Sequence, residues 1–194
     1  MWIVAADGTV SGPMDLGSFR PLDINDWDEM AGLQDSAAAI ADFEAGELQV
    51  SKLPGLSPGN LGVATAINYW GDVVGYSTDL SIDSGTFRPF LWTPVQGLRA
   101  LGSLGNIHGK ALGINDDRQI VGWSYTLSNP FNEQHAFLWE NGTMFDLNGK
   151  IATDSKRTLQ SADGINNFGH IVGSMYTVTR NTTTLKTFLL TPTP

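Results

Sequence analysis

The nine residues I-N-D-D-R-Q-I-V-G, at positions 114–122, decide the fold because the chain repeats their pattern three more times. The other copies are I-N-D-W-D-E-M-A-G at 24–32, I-N-Y-W-G-D-V-V-G at 67–75 and I-N-N-F-G-H-I-V-G at 165–173. The starts lie 43, 47 and 51 residues apart, and the final glycine always stands eight positions after the isoleucine. Such a period is typical of propeller blades and too long for leucine-rich or hexapeptide repeats.

A second segment follows each block and completes the repeat. It is R-P-F-L-W at 88–92, H-A-F-L-W at 135–139 and K-T-F-L-L at 186–190, and only A-D-F at 41–43 stands there in the first copy. A third segment closes two units, G-L-R-A-L-G at 97–102 and G-T-M-F-D-L at 142–147. Each unit is predicted to form four short strands, with a tight turn after the asparagine, which bonds its own backbone and tolerates positive φ.

The sequence therefore predicts an all-β fold, a small β-propeller of about four blades with four short antiparallel strands each. Units beginning near positions 22, 65, 111 and 162 are expected to form a single domain over 1–194. Trp92 and Trp139 are expected in the core. A short helix is predicted only over 36–47, where alanines replace the third strand of the first unit.

The two ends of the chain complement one another. The fourth unit stops after its third strand, whereas residues 2–16 resemble the third and fourth strands of a unit that lacks its first half. Residues 1–17 are therefore predicted to complete the last unit and close the ring, which leaves fewer exposed strand edges and makes the protein a monomer. Otherwise the chain is a piece of a longer array or assembles as a homo-oligomer.

The stretch G-I-N-D-D-R-Q-I-V-G-W-S at 113–124, followed by H-A-F-L-W-E-N-G at 135–142, resembles the HAF repeat family of bacterial proteins. The family takes its name from a His-Ala-Phe triplet, which stands here at 135–137. The resemblance covers residues 22–190 and implies a secreted or cell-surface protein of a bacterium. It implies no defined activity, and the chain as given has no signal peptide at its start.

Composition limits the partners. With 11 Lys and Arg against 20 Asp and Glu among 194 residues, the net charge is −9, which repels nucleic acid and anionic membrane surfaces. No apolar run is long enough to insert into a membrane. Cysteine is absent, which excludes disulfides, thiolate metal sites and cysteine nucleophiles. A small neutral ligand, a carbohydrate or a cation is the expected partner.

Two sets of residues at the turns are candidate ligand-binding groups. Trp27, Trp70 and Phe168 stand two positions after the turn asparagine, where exposed aromatic rings stack on sugars, or else pack on the neighbouring blade. The asparagines are expected to line up around the ring, where their amides would bind a ligand, although turn geometry alone also explains them. They are Asn25, Asn68, Asn115 and Asn166.

The first turn carries the densest group of carboxylates, Asp23, Asp26, Asp28 and Glu29. A hard cation such as Ca²⁺ takes six to eight oxygen ligands, so this turn is the candidate metal site and calcium the candidate cofactor. The spacing departs from an EF-hand loop, and the alternative is a solvated turn with no cofactor.

Catalytic groups are harder to find. His108, His135 and His170 are the candidates, although they fall in different units at different phases. No zinc-binding H-E-x-x-H, G-x-S-x-G elbow or phosphate loop is present, while a glycosidase built from two carboxylates would leave no local motif. The leading hypothesis is a non-catalytic, extracellular-type binding or scaffold module for carbohydrate. The alternative is a metal-dependent hydrolase of a small ester, lactone or glycoside.

Overall fold

The computed structural model of the protein describes residues 14–56, 61–78, 86–127, 133–151, 156–180 and 182–192. Their strands divide among four antiparallel sheets in chain order, three of four strands and one of three. The predicted all-β class with four repeated sheets is therefore confirmed.

Each sheet corresponds to one sequence unit. Sheet 1 contains β1 Arg20–Ile24, β2 Met30–Gln34, β3 Ala37–Glu44 and β4 Glu47–Lys52. Sheet 2 contains β5 Gly62–Ile67, β6 Val73–Thr78, β7 Phe87–Thr93 and β8 Gly97–Ala100. Sheet 3 contains β9 Gly105–Ile114, β10 Ile120–Thr126, β11 Gln134–Glu140 and β12 Thr143–Asp146, followed by a 3-10 turn at Leu147–Gly149. Sheet 4 contains β13 Arg157–Ile165, β14 Ile171–Thr179 and β15 Thr182–Leu190.

The short helix predicted over residues 36–47 is wrong, because this segment forms β3 and the start of β4. Within it Ala39 pairs with Gly32 of β2, and Asp42 pairs with Gln49 of β4. Ala39 and Ala41 are buried at the places where sheets 2 and 3 have a phenylalanine and a tryptophan. Tertiary packing here overrides the helix preference of alanine.

The core lies between neighbouring sheets, since one face of each sheet packs on the facing side of the next. Between sheets 2 and 3, for example, Val74 and Leu91 meet Ile120, Phe137 and Trp139. Equivalent clusters join sheet 1 to sheet 2 and sheet 3 to sheet 4. Trp139 is buried as predicted. Trp92, which was also expected in the core, is only partly buried.

The repeated glycine of the second strand allows this pairing. A Cβ atom at Gly75 would overlap the carbonyl oxygen of Val63, and one at Gly122 would overlap that of Lys110. Both positions lie beside an irregularity in the register with the first strand, where the two backbones come unusually close. Close backbone approach therefore explains why glycine recurs here.

Sheet 4 differs from the others. Within the described residues it has three strands, all from the fourth sequence unit. Its outer face is open, since Val172 is 49% exposed and Leu189 62% exposed, whereas their counterparts Val74 and Leu91 are fully buried.

Most of the segment predicted to complete sheet 4, residues 1–13, lies outside the described residues, so ring closure stays a prediction. Leu16, at the end of that segment, packs on the buried cluster of sheet 1 that contains Phe19 and Met30. Over the described part of the chain, no helix is long and apolar enough to cross a membrane.

Candidate functional site

The I-N blocks fold into the same tight turn between the first and second strands of each sheet. In the second block the Oδ1 atom of Asn68 accepts the backbone N–H of Trp70 at 3.0 Å and that of Asp72 at 2.9 Å. The backbone N–H of Gly71 donates to the Asn68 carbonyl at 3.1 Å, and Gly71 has φ of 73°. Asparagine begins the turn because its short amide satisfies N–H groups that the turn leaves unpaired.

A ladder of asparagine side chains joins the turns to one another. The Nδ2 atom of Asn25 donates to the carbonyl of Asn68, that of Asn68 to Asn115, and that of Asn115 to Asn166, each at 3.1 Å. Nδ2 also donates to the side chain four positions on, as from Asn115 to Gln119 at 2.8 Å. The first three amides therefore link neighbouring sheets. The ligand-binding role of the asparagines stays a prediction.

Three aromatic rings form a row along this edge, which we call the aromatic row: Trp27, Tyr69 and Trp70. The ring centroids of Trp27 and Tyr69 lie 5.3 Å apart, and those of Tyr69 and Trp70 lie 5.1 Å apart. Each indole N–H donates to the next turn at 3.0 Å, from Trp27 to the Tyr69 carbonyl and from Trp70 to the Asp116 carbonyl. Both tryptophans nevertheless remain 60% exposed.

The structure thus brings together two of the three aromatic candidates. Phe168 is 81% exposed but stands apart, with His170 at a centroid distance of 6.2 Å. The third turn separates it from the row, and Asp117 holds the equivalent position there. Tyr69 was missed by the sequence analysis, although it directly precedes Trp70 in the turn.

A shallow depression lies beside the aromatic row, and all four turns contribute to its lining. The lining consists of Asn25, Asp26, Ile67, Asn68, Tyr69, Ile114, Asp116, Ile165, Asn166 and Asn167. The residues that follow the turn asparagines, such as Asp26 and Asp116, place carboxylates around it. This arrangement puts hydrogen-bond acceptors next to exposed aromatic rings.

Two of the four acidic residues of the first turn accept hydrogen bonds, and from different donors. Asp23 accepts the backbone N–H of Ile67 at 2.9 Å, and Glu29 accepts the Nδ2 hydrogen of Asn25 at 2.7 Å. Asp26 lines the depression, and Asp28 holds the turn position with φ of 62°. Within the described residues, no group of three or more His, Asp or Glu side chains is arranged to hold a metal ion.

His108 lies among aromatic rings between sheets 2 and 3. Its Nδ1 atom accepts the backbone N–H of Phe87 at 3.1 Å, and its ring stacks on Tyr125 at a centroid distance of 5.0 Å. Burial, with a further contribution from the Lys110 ammonium, lowers the pKa of His108 below its usual value. Both effects favour the neutral form of the ring.

His135 begins β11 and pairs with a carboxylate. Its Nδ1–H donates to Asp146 at 2.7 Å, which raises the pKa of His135 above its usual value. Burial alone would raise the pKa of Asp146, but hydrogen bonds from His135 and Asn148 outweigh it and lower that pKa. The His135 Nε2 atom lies 3.4 Å from the Glu133 carboxylate without making a hydrogen bond.

His170 belongs to the fourth turn, where its backbone N–H donates to Asn166 at 2.9 Å. The three histidines therefore have different neighbours: an aromatic cluster for His108, two carboxylates for His135 and the exposed Phe168 for His170. Their catalytic role stays a prediction.

Sequence analysis also missed a set of clefts between neighbouring sheets beside the turns. The first cleft, between sheets 1 and 2, is lined by residues that include Glu29, Asp42, Gly71 and Trp92. The third cleft, between sheets 3 and 4, is lined at equivalent positions by residues that include Gln119, Glu140, Gly169 and Leu190. One repeat position could have indicated the clefts. It stands three residues after the turn asparagine and is glycine in the second and fourth units but Arg118 in the third.

No family model, curated protein or solved structure matches the chain. The resemblance to HAF repeats therefore stays a prediction, and the function has to be inferred from the geometry.

Proposed function

We propose that the protein is a non-catalytic binding module that holds a neutral carbohydrate on its aromatic row. The observation that carries this proposal is that Trp27 and Trp70, each 60% exposed, are held in place by indole hydrogen bonds to the next turn. Sugar rings have apolar faces that stack on aromatic rings. Rings that are already ordered lose little conformational entropy when a ligand binds.

Polar groups beside the row support the same ligand class. Asp26 and Asp116 line the depression next to Tyr69, where carboxylates accept hydrogen bonds from hydroxyl groups. Asp116 is itself positioned, since it accepts the backbone N–H of Tyr69 at 2.9 Å and the Asn167 amide at 2.6 Å. The net charge of −9 favours a neutral ligand over a polyanion.

The test is isothermal titration with a panel of neutral oligosaccharides. For an oligosaccharide that binds, Trp27→Ala with Trp70→Ala is expected to weaken binding at least about tenfold, because two stacking surfaces are lost. Trp27→Phe with Trp70→Phe keeps the aromatic faces without the indole hydrogen bonds and should keep most of the affinity.

Phe168→Ala is the matched control, because it removes an exposed ring outside the row. Equal loss of binding in this control and in the double alanine variant would contradict a site on the row. Failure of every neutral oligosaccharide to bind would overturn the ligand class.

We also infer that the four sheets form a small propeller whose first and last turns are neighbours. This inference is supported by the depression that residues of all four turns line. Because the chain has no cysteine, spin labels can be attached at Asp26→Cys with Asn167→Cys. A closed ring predicts a distance close to that between labels at Asp116→Cys and Asn167→Cys, which lie on adjacent turns. A much longer distance would contradict closure.

The cellular location and the alternative activity are separate proposals. Secretion or cell-surface location is proposed only from the resemblance to HAF repeats. The metal-dependent hydrolase stays a prediction, and turnover of an ester, lactone or glycoside that is lost with EDTA would support it.

A further inference from the structure

The three clefts between neighbouring sheets are lined by equivalent positions of the repeat, but the side chains at these positions differ. Each wall includes the residue four positions after a turn asparagine, which is Glu29, Asp72 or Gln119. The facing sheet contributes the residue three positions after the next turn asparagine, which is Gly71, Arg118 or Gly169. Its third strand contributes Trp92, Trp139 or Leu190, in the same register with the second strand.

Two arginine side chains of the protein itself occupy the second cleft, between sheets 2 and 3. The Arg118 guanidinium donates to Asp72 at 2.6 Å, and the Asp72 side chain is only 1% exposed. The Arg99 guanidinium lies 5.1 Å from the ring centroid of Trp139. A buried carboxylate and an indole face thus hold two guanidinium groups.

The first cleft keeps both acceptors and lacks both arginines. Glu29 stands where Asp72 stands, and Trp92 where Trp139 stands. Gly71 replaces Arg118, and Ser51, which faces β3 as Arg99 faces β7, replaces Arg99. Across the described residues, no cationic side chain pairs with the Glu29 carboxylate.

The third cleft lacks the inner carboxylate and the tryptophan, and its remaining carboxylate, Glu140, already accepts a hydrogen bond from Gln119. Gln119 is uncharged and donates to Glu140 at 3.1 Å, and Leu190 has no aromatic face. Lys150 lies in this cleft with its ammonium 4.5 Å from the Phe145 ring centroid. Its chemistry therefore does not favour an external cation, which makes it an internal control.

We propose that the first cleft is a binding site for a small organic cation, a guanidinium or alkylammonium group on an apolar stem. Glu29 receives the charge, the Trp92 face stacks on it, and Asp42 adds a second carboxylate at the opening. Ile40 and Ile67 line the apolar part. The cleft has a volume of about 180 Å³, equal to several water molecules at ~30 Å³ each, which suits such a group.

The first experiment compares n-butylguanidine with its neutral isostere n-butylurea by isothermal titration calorimetry of the whole chain, a readout that does not depend on the Trp92 indole. Butylguanidine is expected to bind one site at least tenfold more tightly than butylurea. Glu29→Gln should weaken butylguanidine at least tenfold, because a charged hydrogen bond is lost. Trp92→Leu, the residue of the third cleft, should weaken it about two- to tenfold. Equal binding of the two probes would overturn the proposal.

A second test fills the cleft with an added side chain and keeps all the other residues that line it. Gly71→Arg copies the second cleft, since Gly71 and Arg118 both have positive φ, 73° and 59°. An added Cβ would meet only the flexible end of Glu29, at 3.1 Å. This variant should abolish butylguanidine binding, because its guanidinium would occupy the cleft. Gly169→Arg is the control in the third cleft and should leave binding unchanged.

Emptying the second cleft should create a second site. Arg118→Gly with Arg99→Ser is expected to raise the number of bound butylguanidine molecules from one to two, and butylguanidine should raise the melting temperature of this variant. If Gly71→Arg leaves binding intact, or Gly169→Arg removes it equally, the site does not lie in the first cleft. The Trp27 and Trp70 variants leave this cleft unchanged. Failure of the carbohydrate proposal can therefore be distinguished from failure of the cation site.

Discussion

The two ends of the strands are held together in different ways. At the turn end, every neighbouring pair of sheets has the same asparagine hydrogen bond at 3.1 Å. At the far end, contacts belong to single units, such as Lys110 over Tyr76 and Phe87, or the pair of His135 and Asp146. The asparagine side-chain bond that joins each of the first three units to the next recurs, whereas the side-chain packing at the far end differs from unit to unit. The contacts that join consecutive sheets in the same way therefore lie at the turn end, and the contacts that distinguish one sheet from another lie at the far end.

The largest effect is expected at the repeated glycine of the second strand, where two backbones lie close together. Gly122→Ala places a Cβ atom against the Lys110 carbonyl and forces β10 away from β9, so we expect a loss of roughly 3 kcal/mol or more in the free energy of unfolding. Urea denaturation measures it. Gly149→Ala is the control, since its Cβ would meet nothing within 4 Å. Similar stability of the two variants would show that the strands do not approach as closely as described.

At the turn end, Asn68→Ala removes two turn hydrogen bonds and the bond to the Asn115 carbonyl, and should cost roughly 2–3 kcal/mol. Asn166→Ala removes two equivalent turn bonds from the last turn. The difference between them, expected to be about 1 kcal/mol, measures the two Nδ2 bonds of Asn68, the rung to Asn115 at 3.1 Å and a longer bond to Asp72 at 3.4 Å. Equal losses in urea denaturation would mean that the rung adds no stability.

At the far end, Lys110→Met keeps an apolar stem and removes the ammonium that lies 4.1 Å from the Tyr76 ring centroid. A stability loss of about 1 kcal/mol is expected from the lost cation–π contacts. The pKa of His108 should rise, because Lys110 contributes to its lowering. NMR titration of His108 measures this change, and an unchanged pKa would show that burial alone lowers it.

The smallest effect is the pH dependence of the His135 and Asp146 pair, worth about 1 kcal/mol for a partly exposed pair. Because folding raises the pKa of His135, its stabilisation is present below pH ~6.5 and is lost as pH rises through the folded pKa. Because folding lowers the pKa of Asp146, the stabilisation is also lost as pH falls through that folded pKa.

Thermal melts across this pH range test both losses. His135→Lys introduces the residue found at the equivalent position of β15, Lys186, and stays charged at neutral pH. It should remove the loss above neutral pH and keep the loss in acid. The same alkaline loss in this variant would assign the effect to another group.

Sequence patterns predicted the backbone better than the surfaces. The turn at Asn68 and the glycine at Gly75 follow from local geometry, so their spacing predicted four sheets correctly. The third strand of sheet 1 was missed because alanine prefers helix in isolation, and only burial between sheets makes β3 favourable. Trp27 and Trp70 were identified as candidates, but their contact through Tyr69 depends on the placement of two turns.

By itself, the sequence determined the all-β class, the four units and the turns, because these depend on residues within one repeat. The tertiary structure alone decided which side chains meet across neighbouring sheets. Asn25 reaches Asn68 across 43 positions, and Arg118 reaches Asp72 across 46. Such contacts depend on how one sheet is placed on the next, and a repeat shows only that the placement recurs. The aromatic row and the first cleft belong to this second kind of information.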